Sequence, residues 1–268
     1  MDTLWYFAYG SNISHDKFVG SRGIHPLAEA HVRLPGWALE MSIPGFPYRE
    51  PAFASIQPGR DGHDGKQTID VQGTAYLVTR AQYASIIASE GGGIAYREVV
   101  VWAEALHDED VQHLGGQRIM VYTLTNAMTR IPQGRASMRY LHMITSAAED
   151  IPFDEAYHKF LAALRPYTPP QTRKQKAGAA MFWLLWTPII TMMEKTIART
   201  VDLDKGGNAP NWVAVLMRFV VAALWFSHDW VFAPLFGRGD GVDEAGLDYD
   251  LLDASRLPLP LPLPWTGC

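Results

Sequence analysis

Leu4-Trp5-Tyr6-Phe7-Ala8-Tyr9-Gly10-Ser11-Asn12, almost at the start of the chain, is the stretch from which the fold is read. An apolar run of strand-forming residues stops abruptly in Tyr-Gly-Ser-Asn, which predicts a buried β-strand entering a tight loop. Gly10 permits backbone geometry that a side chain would forbid and lets a ligand approach the main chain. Successive amides from residues 9–12 are then placed to converge on one cavity as an anion-binding nest. An ordinary strand and turn would use the same residue types, so the meaning of the stretch depends on what lies downstream.

The second informative segment is Ser89-Glu90-Gly91-Gly92-Gly93-Ile94-Ala95-Tyr96-Arg97-Glu98, followed by Val99-Val100-Val101-Trp102. One carboxylate ends an apolar, helix-like stretch that contains Tyr83, Ile86 and Ile87. Three glycines then close the helix and supply a permissive turn before a strongly β-prone run. Glu90 is thereby placed at a helix end beside a flexible loop, whereas Glu98 opens a strand and faces solvent.

Together these segments resemble the γ-glutamylcyclotransferase family, closest in kind to the cyclotransferases of fungal gliotoxin-type pathways. The order of the intervening pieces carries the resemblance further. Arg33-Leu34-Pro35-Gly36-Trp37-Ala38-Leu39 and Val71-Gln72-Gly73-Thr74-Ala75-Tyr76-Leu77-Val78 are similar to the strands that follow the family's Tyr-Gly-Ser-Asn loop. Glu90-Gly91 and Tyr96 stand where the family has a Glu-Gly pair and a Tyr a few residues on. Ile119-Met120-Val121-Tyr122-Thr123-Leu124-Thr125-Asn126 resembles its Tyr-x-x-Thr-Asn strand, and Ser137-Met138-Arg139-Tyr140-Leu141 resembles a helix start whose Tyr faces the pocket. The likeness spans roughly residues 4 to 167.

The resemblance implies an enzyme, a 5-oxoproline-forming lyase or acyltransferase that uses no cofactor and no metal. The α-amine of a γ-glutamyl group attacks its own γ-carbonyl, and the amine that had been acylated departs. Holding the glutamyl chain in a near-attack shape supplies up to about 7–11 kcal/mol in favourable systems. A carboxylate whose pKa is raised by burial suits the proton transfers, for a further factor of about 10²–10⁴. Glu90 is the candidate catalytic base. Tyr6, Phe7, Ala8, Tyr9, Gly10, Ser11 and Asn12 are candidate substrate-binding residues. Their loop amides would serve either the developing oxyanion or the substrate α-carboxylate. Tyr96, Tyr122 and Tyr140 would line the pocket and offer hydroxyls to the glutamyl head group, with core packing as their ordinary alternative.

Other chemistries fit less well. Ser11 lies in Gly-Ser-Asn rather than Gly-x-Ser-x-Gly, so a nucleophile elbow is unsupported. The nine histidines show no zinc-binding spacing. Gly91-Gly92-Gly93 precedes a strand and lacks the Lys-Ser/Thr of a phosphate-binding loop. Ser14 reads as the cap of a helix starting at His15-Asp16. A net charge of −5 without a basic cluster leaves no footprint for nucleic acid. The single cysteine, Cys268, excludes an intramolecular disulfide, fits a reducing, cytoplasmic compartment, and is wrongly placed for a prenylation box. A strand beginning at once leaves no room for a leader peptide.

Two features depart from the family pattern. Residues 42–72 read as a long Pro- and Gly-containing insertion that borders the pocket. The last third of the chain is an apolar extension beyond a basic, Pro-rich linker at 168–176. Within it, 177–193 and 212–236 are long and apolar, but Pro188 interrupts the first, and Arg218, His228 and Asp229 fall in the second. A bilayer span asks for about 20 predominantly apolar residues. The reading therefore favours helices packed on the enzyme domain or resting on a membrane surface over two crossing helices. The tail Leu257-Pro258-Leu259-Pro260-Leu261-Pro262-Leu263-Pro264 lacks alternate donors and reads as an extended strap or a loose end.

The expected fold is mixed α/β (α+β), with a small, curved, mostly antiparallel barrel-like sheet, surrounding helices and an apolar helical C-terminal extension. Strands are expected near 4–9, 31–41, 52–58, 71–79, 97–107 and 117–125, and helices near 80–89, 137–148 and 153–164. The barrel interior is expected to hold Glu90 and the tyrosines. The domain division is 1–167 for the cyclotransferase-like unit and 177–268 for the extension. The partner is a small γ-glutamyl peptide, amide or glutathione conjugate, with membrane-surface contact through 177–236. The rival reading is a non-catalytic ligand-binding or membrane-associated protein that retains the fold.

Overall fold

The computed structural model describes residues 2–59 and 69–242. Residues 60–68 of the insertion, the Leu-Pro tail and Cys268 lie outside the described residues.

The first strand, β1 (Thr3–Ala8), pairs antiparallel with β5 (Val71–Thr79), with Tyr6 opposite Tyr76. From β5 the sheet runs antiparallel through β2 (Ala28–Leu34), β6 (Tyr96–Ala105) and β7 (Arg118–Asn126). It closes as a barrel where β7 meets β1 in parallel at Tyr6 and Tyr122. Closure needs bare backbone at one point. A Cβ on Gly73 would lie 2.2 Å from the Ala8 carbonyl and 2.8 Å from the Phe7 ring.

Strand alternation divides the side chains. Phe7, Val32, Ala75, Ala103 and Val121 fill the barrel and continue into a cluster with Leu39, Ile56, Leu141, Ile144 and Leu161. The last five come from the hairpin of β3 (Trp37–Phe46) and β4 (Glu50–Pro58), and from α4 (Met138–Glu149) and α5 (Glu155–Ala162). The opposite face carries Leu4, Tyr6, Ala8, Tyr76 and Val78, covered by Phe18 of α1 (His15–Arg22) and Tyr83, Ile86 and Ile87 of α2 (Arg80–Ser89). Further round the barrel the same face is open, with Trp102 and Met120 exposed.

Several sequence expectations change. The run 31–41 is two strands, because Pro35-Gly36 turns the chain and Gly36 takes a positive φ of 75°. The expected strand at 52–58 is present as β4, and residues 42–46, read as the start of an insertion, extend β3 to complete a hairpin with it, with a register shift between Glu40 and Ile43. The short helix α3 (Asp108–Leu114) lacks an apolar stripe, so periodicity does not reveal it. Buried Asp110 anchors it by accepting from the amides of His107 and His31. Ser14 does stand at the N-cap of α1, but its side chain makes no capping bond.

The extension begins inside the expected linker. Thr172 and Gln175 form a capping box that starts α6 (Arg173–Thr200) four residues before 177. Helix α6 runs through Pro188 without a break, and a one-turn 3-10 helix (Leu203–Lys205) leads toward α7 (Asn211–Ser227). A π-helical turn (His228–Phe232) carries α7 into α8 (Ala233–Phe236). Phe182, Trp186, Leu224 and Trp225 pack on Tyr48 of the hairpin turn, and Val213 and Met217 pack on Ile94 beyond the glycine loop.

Candidate active site

The chain after β1 turns tightly, with the Ile13 amide donating to the Gly10 carbonyl over 3.1 Å. Thr74 Oγ1 and Tyr76 Oη both donate to the Ile13 carbonyl at 3.0 Å, so β5 fixes the loop. Gly10 does not take a positive φ. A Cβ there would lie 3.4 Å from Tyr140 Oη and 3.7 Å from the Ala54 methyl, ordinary contact distances, so neither backbone conformation nor space demands a glycine at this position. Among the described residues, nothing accepts from the amides of Gly10, Ser11 and Asn12.

Glu90 caps the C-terminal end of α2, its amide donating to the carbonyls of Ile86 and Ile87. The helix starts on a Thr79–Gln82 capping box, so its last turn is placed relative to β5. Asn12 Nδ2 donates to Glu90 Oε1 over 2.9 Å, and Arg22 Nη2 pairs with the same oxygen at 2.5 Å. Arg22 Nε donates to Asn12 Oδ1 at 2.7 Å, closing a three-residue clamp at the ends of α1, α2 and the loop. Both contacts fall on Oε1, and among the described residues Oε2 accepts no hydrogen bond. The Glu90 side chain keeps 19% of its surface exposed, so it reaches solvent from one side only.

Four tyrosines surround this clamp, in two distinct arrangements. Tyr9 donates to the Leu124 carbonyl at 2.6 Å and Tyr96 to the Ala54 carbonyl at 3.0 Å, so both protons are in use. Tyr140 accepts from the Ala54 amide at 3.2 Å and Tyr6 accepts from Asn12 at 3.4 Å. Accepting leaves the phenolic proton of each available to a ligand. Burial pushes all four phenols above their ordinary range, and the charges of Glu90 and neighbouring tyrosines add to it. They are neutral donors at neutral pH.

A tight hollow of about 30 Å³ is lined by Tyr6, Tyr9, Gly10, Ser11, Asn12, Ala54, Glu90, Leu124, Tyr96 and Tyr140. Glu90, Tyr96 and Leu124 also line an adjoining cleft of about 250 Å³, bounded by Ile87, Gly93, Arg97, Glu98 and Asn208. The acid at the end of α2 is therefore shared between a polar inner hollow and a roomier outer cleft.

Three expected site residues lie elsewhere. Phe7 is fully buried in the barrel, where its carbonyl accepts from Thr123. Ala8 is buried under α1 and α2. Tyr122 sits on the outer face against Tyr83, with the Arg80 guanidinium 5.4 Å from its ring. Strand alternation accounts for Phe7, which points into the barrel, but not for Ala8 and Tyr122, which share the face of Tyr6. The hollow itself lies at the barrel's end rather than in its interior, which is packed with apolar side chains, Phe7 among them. Sequence reasoning missed Arg22, Ala54, Leu124 and Asn208. Arg22 reads as an ordinary basic residue in a last helical turn, and the others carry no chemical signal.

Away from this hollow, His228, Asp229 and Asp240 bring ligand atoms within 4.8 Å of one another. Arg130 and Arg238 already pair with both carboxylates there, so the cluster is an ion network of the protein itself.

A closed barrel with a clamped carboxylate facing the loop after its first strand defines a cyclotransferase-like fold. A solved structure of a γ-glutamyl cyclotransferase has the same fold, with a TM-score of 0.50 at 18% identity over 65% of this chain and 95% of its own. A family model for the AclK C-terminal domain matches residues 172–235. The γ-glutamyl cyclotransferase aclK of Aspergillus oryzae is 38% identical over 248 residues, 89% of this chain and 90% of that protein. The γ-glutamyl cyclotransferase gliK of Aspergillus fumigatus is 33% identical over 266 residues, 96% and 95% of the two chains. This chain belongs to the γ-glutamyl cyclotransferase family.

Proposed function

We propose that the protein releases 5-oxoproline from a γ-glutamyl peptide or glutathione conjugate, with Glu90 as the proton-transfer group. The observation that carries this reading is the asymmetry of Glu90: Oε1 is clamped by Asn12 and Arg22, while Oε2 has no partner among the described residues. Oε2 takes a proton from the substrate α-ammonium. The freed amine nitrogen bonds to the γ-carbonyl carbon, and the carbonyl oxygen becomes an oxyanion. The amides of Gly10, Ser11 and Asn12 provide donors for that oxygen or for the α-carboxylate, and Tyr140 and Tyr6 offer phenolic protons beside them. Collapse of the tetrahedral centre breaks the bond to the leaving amine, which takes the proton from Glu90; the ring nitrogen then gives its surplus proton to the regenerated carboxylate, which passes it to the departing amine.

Residues 1–167 supply this machinery, with 177–268 appended to them. The outer cleft, lined partly by Ile87 and Leu124, supports a leaving portion that is large and partly apolar, as in an S-substituted glutathione made during secondary metabolism. Incubation with γ-glutamyl amino acids, glutathione and S-substituted glutathiones, followed by mass detection of 5-oxoproline, tests the reading. Release is expected with the S-substituted compounds, and no release from any γ-glutamyl compound would favour the rival binding protein.

We also propose that the extension rests on a membrane surface from its outer side. Leu184, Phe219 and Trp230 are each at least 70% exposed, and α6 and α7 present Met181, Leu185, Met192, Trp212, Val215 and Phe226 outward as well. Helix α6 and the continuous helical run Asn211–Phe236 are each long and apolar enough to cross a bilayer, and both are already partly buried against the enzyme. Arg173, Lys174 and Lys176 at the start of α6 suit an anionic headgroup region. The full chain is expected to cosediment with phosphatidylserine-containing vesicles more than with pure phosphatidylcholine. Equal, low cosedimentation with both would overturn the proposal.

A further inference from the structure

The loop that follows Glu90 is held from outside the barrel. Gly91, Gly92 and Gly93 take φ values of 87°, 60° and 77°, a run that only glycine adopts without strain. Three successive carbonyls of this loop accept from the extension. The Ala209 amide donates to Gly92 at 2.9 Å, Arg218 Nη2 to Gly93 at 3.0 Å, and Arg218 Nε to Ile94 at 2.9 Å. The fit leaves no slack. A Cβ on Gly92 would lie 2.7 Å from Val201 Cγ2, one on Gly93 2.4 Å from Asn208 Oδ1, and one on Gly207 1.9 Å from the Ala84 carbonyl of α2. Met217 and Val213 flank Arg218 and pack on Ile94.

The same docking brings Asn208 to the lining of the outer cleft, which Glu90 and Arg97 also line. Asn208 offers one carbonyl and two N–H donors, the complement of a peptide amide, and Arg97 offers a cation. A γ-glutamyl peptide presents a peptide amide and a carboxylate beyond its scissile bond.

We propose that the C-terminal extension completes the active site. Arg218 is a positioning residue that fixes the glycine loop and hence the Glu90 carboxylate, and Asn208 belongs to a subsite for the leaving peptide. The proposal rests on the cyclotransferase reading above and assigns the extension a role in that reaction. It explains why a helix otherwise apolar from Trp212 to Phe226 carries one arginine, aimed at carbonyls that have no other donor among the described residues.

The test compares the native full chain with Arg218→Ala, Arg218→Lys, Asn208→Ala and Glu90→Gln. Each is assayed on γ-glutamyl-methylamide and on an S-substituted glutathione. Arg218→Ala is expected to lower kcat about 100-fold on both substrates with little change in KM, as loss of near-attack geometry does. Arg218→Lys should recover part of that loss, because an ammonium can still donate to one carbonyl. Exchange of the loop amides 91–95 should quicken in Arg218→Ala. Asn208→Ala should lower kcat/KM about tenfold on the glutathione compound and leave the methylamide unchanged, the size of one lost hydrogen bond. If native protein is active and Glu90→Gln is not, but the Arg218 and Asn208 variants match native on both substrates, the proposal falls and the cyclotransferase reading stands. If Arg218→Ala fails to fold, native kcat and KM in Arg218→Lys overturn the positioning role, and Asn208→Ala decides the subsite alone. If native protein releases no 5-oxoproline from either compound, both fall together.

Discussion

Glu90→Gln is expected to lower 5-oxoproline release by a factor of about 10²–10⁴ while the protein stays folded. The amide oxygen of Gln can still accept from Asn12 and Arg22, so the clamp that holds Oε1 keeps its geometry. What disappears is the second carboxylate oxygen, the one disposed to take a proton from the substrate amine. Arg22 loses its charged partner but keeps its bonds to Asn12 and Ser89 and retains 18% exposure, so the variant is expected to fold with some loss of stability. The measurement is single-turnover release of 5-oxoproline under saturating enzyme, paired with a thermal melt. A native-like rate in Glu90→Gln would remove Glu90 from the chemistry, and a collapsed melt would make it structural. Glu90→Asp separates placement from charge. It retains a carboxylate, withdraws it by one methylene from the Asn12–Arg22 clamp, and is expected to fall between the native protein and Glu90→Gln.

The parts of this site that were legible in the sequence are those fixed by local chemistry. The strand ending in Tyr-Gly-Ser-Asn and the helix ending in Glu-Gly-Gly-Gly announce themselves through β-propensity, helix stops and glycine. What the sequence conceals is which partner satisfies which atom. Strand alternation already separates Tyr6 from Phe7, yet Tyr122 shares the Tyr6 face and packs on Tyr83 instead of lining the hollow, which only the assembled barrel shows. Arg22 is about two turns of helix from the loop and becomes important only because α1 and α2 end beside each other. The tip of the β3–β4 hairpin reads as part of an insertion because Pro44, Gly45 and Pro47 resemble loop residues. Its pairing partner supplies the strand character that its own composition lacks. Helix α6 crosses Pro188 for a related reason. The cost of one missing donor is set against burial of Phe182, Trp186 and Ile190 on the hairpin.

Arg130→Ala is expected to destabilise the protein by about 3 kcal/mol, more than a surface ion pair would explain. Arg130 donates to Asp229 at 2.6 Å and to Asp240 at 2.9 Å, and its guanidinium lies 4.0 Å from the centre of the Trp225 ring. Asp240 is completely buried, so removing a cation leaves negative charge where water cannot reach it. Arg238 remains on both carboxylates, which places the loss at the lower end of the range for a broken buried pair. The network is also a strap. The Asp240 carbonyl accepts from the Arg135 amide and the Gly239 carbonyl from the Tyr48 amide, tying the end of the extension to the hairpin that carries Ala54 into the hollow. Acid gives a second, independent reading. Burial alone would raise both carboxyls. For Asp229 the His228 hydrogen bond and Arg130 overcome it, and for Asp240 the Arg238 bond and Arg130 do, so both sit below the ordinary value of 3.8. Groups with depressed folded values bind fewer protons folded than unfolded. Their contribution is complete above about pH 4 and is lost as pH falls through the folded values. The stability gap between native protein and Arg130→Ala, measured by urea unfolding, should therefore be widest near neutrality and narrow below about pH 4. A gap that stays constant into acid would mean that Arg130 acts through its packing on Trp225 rather than through the buried carboxylates.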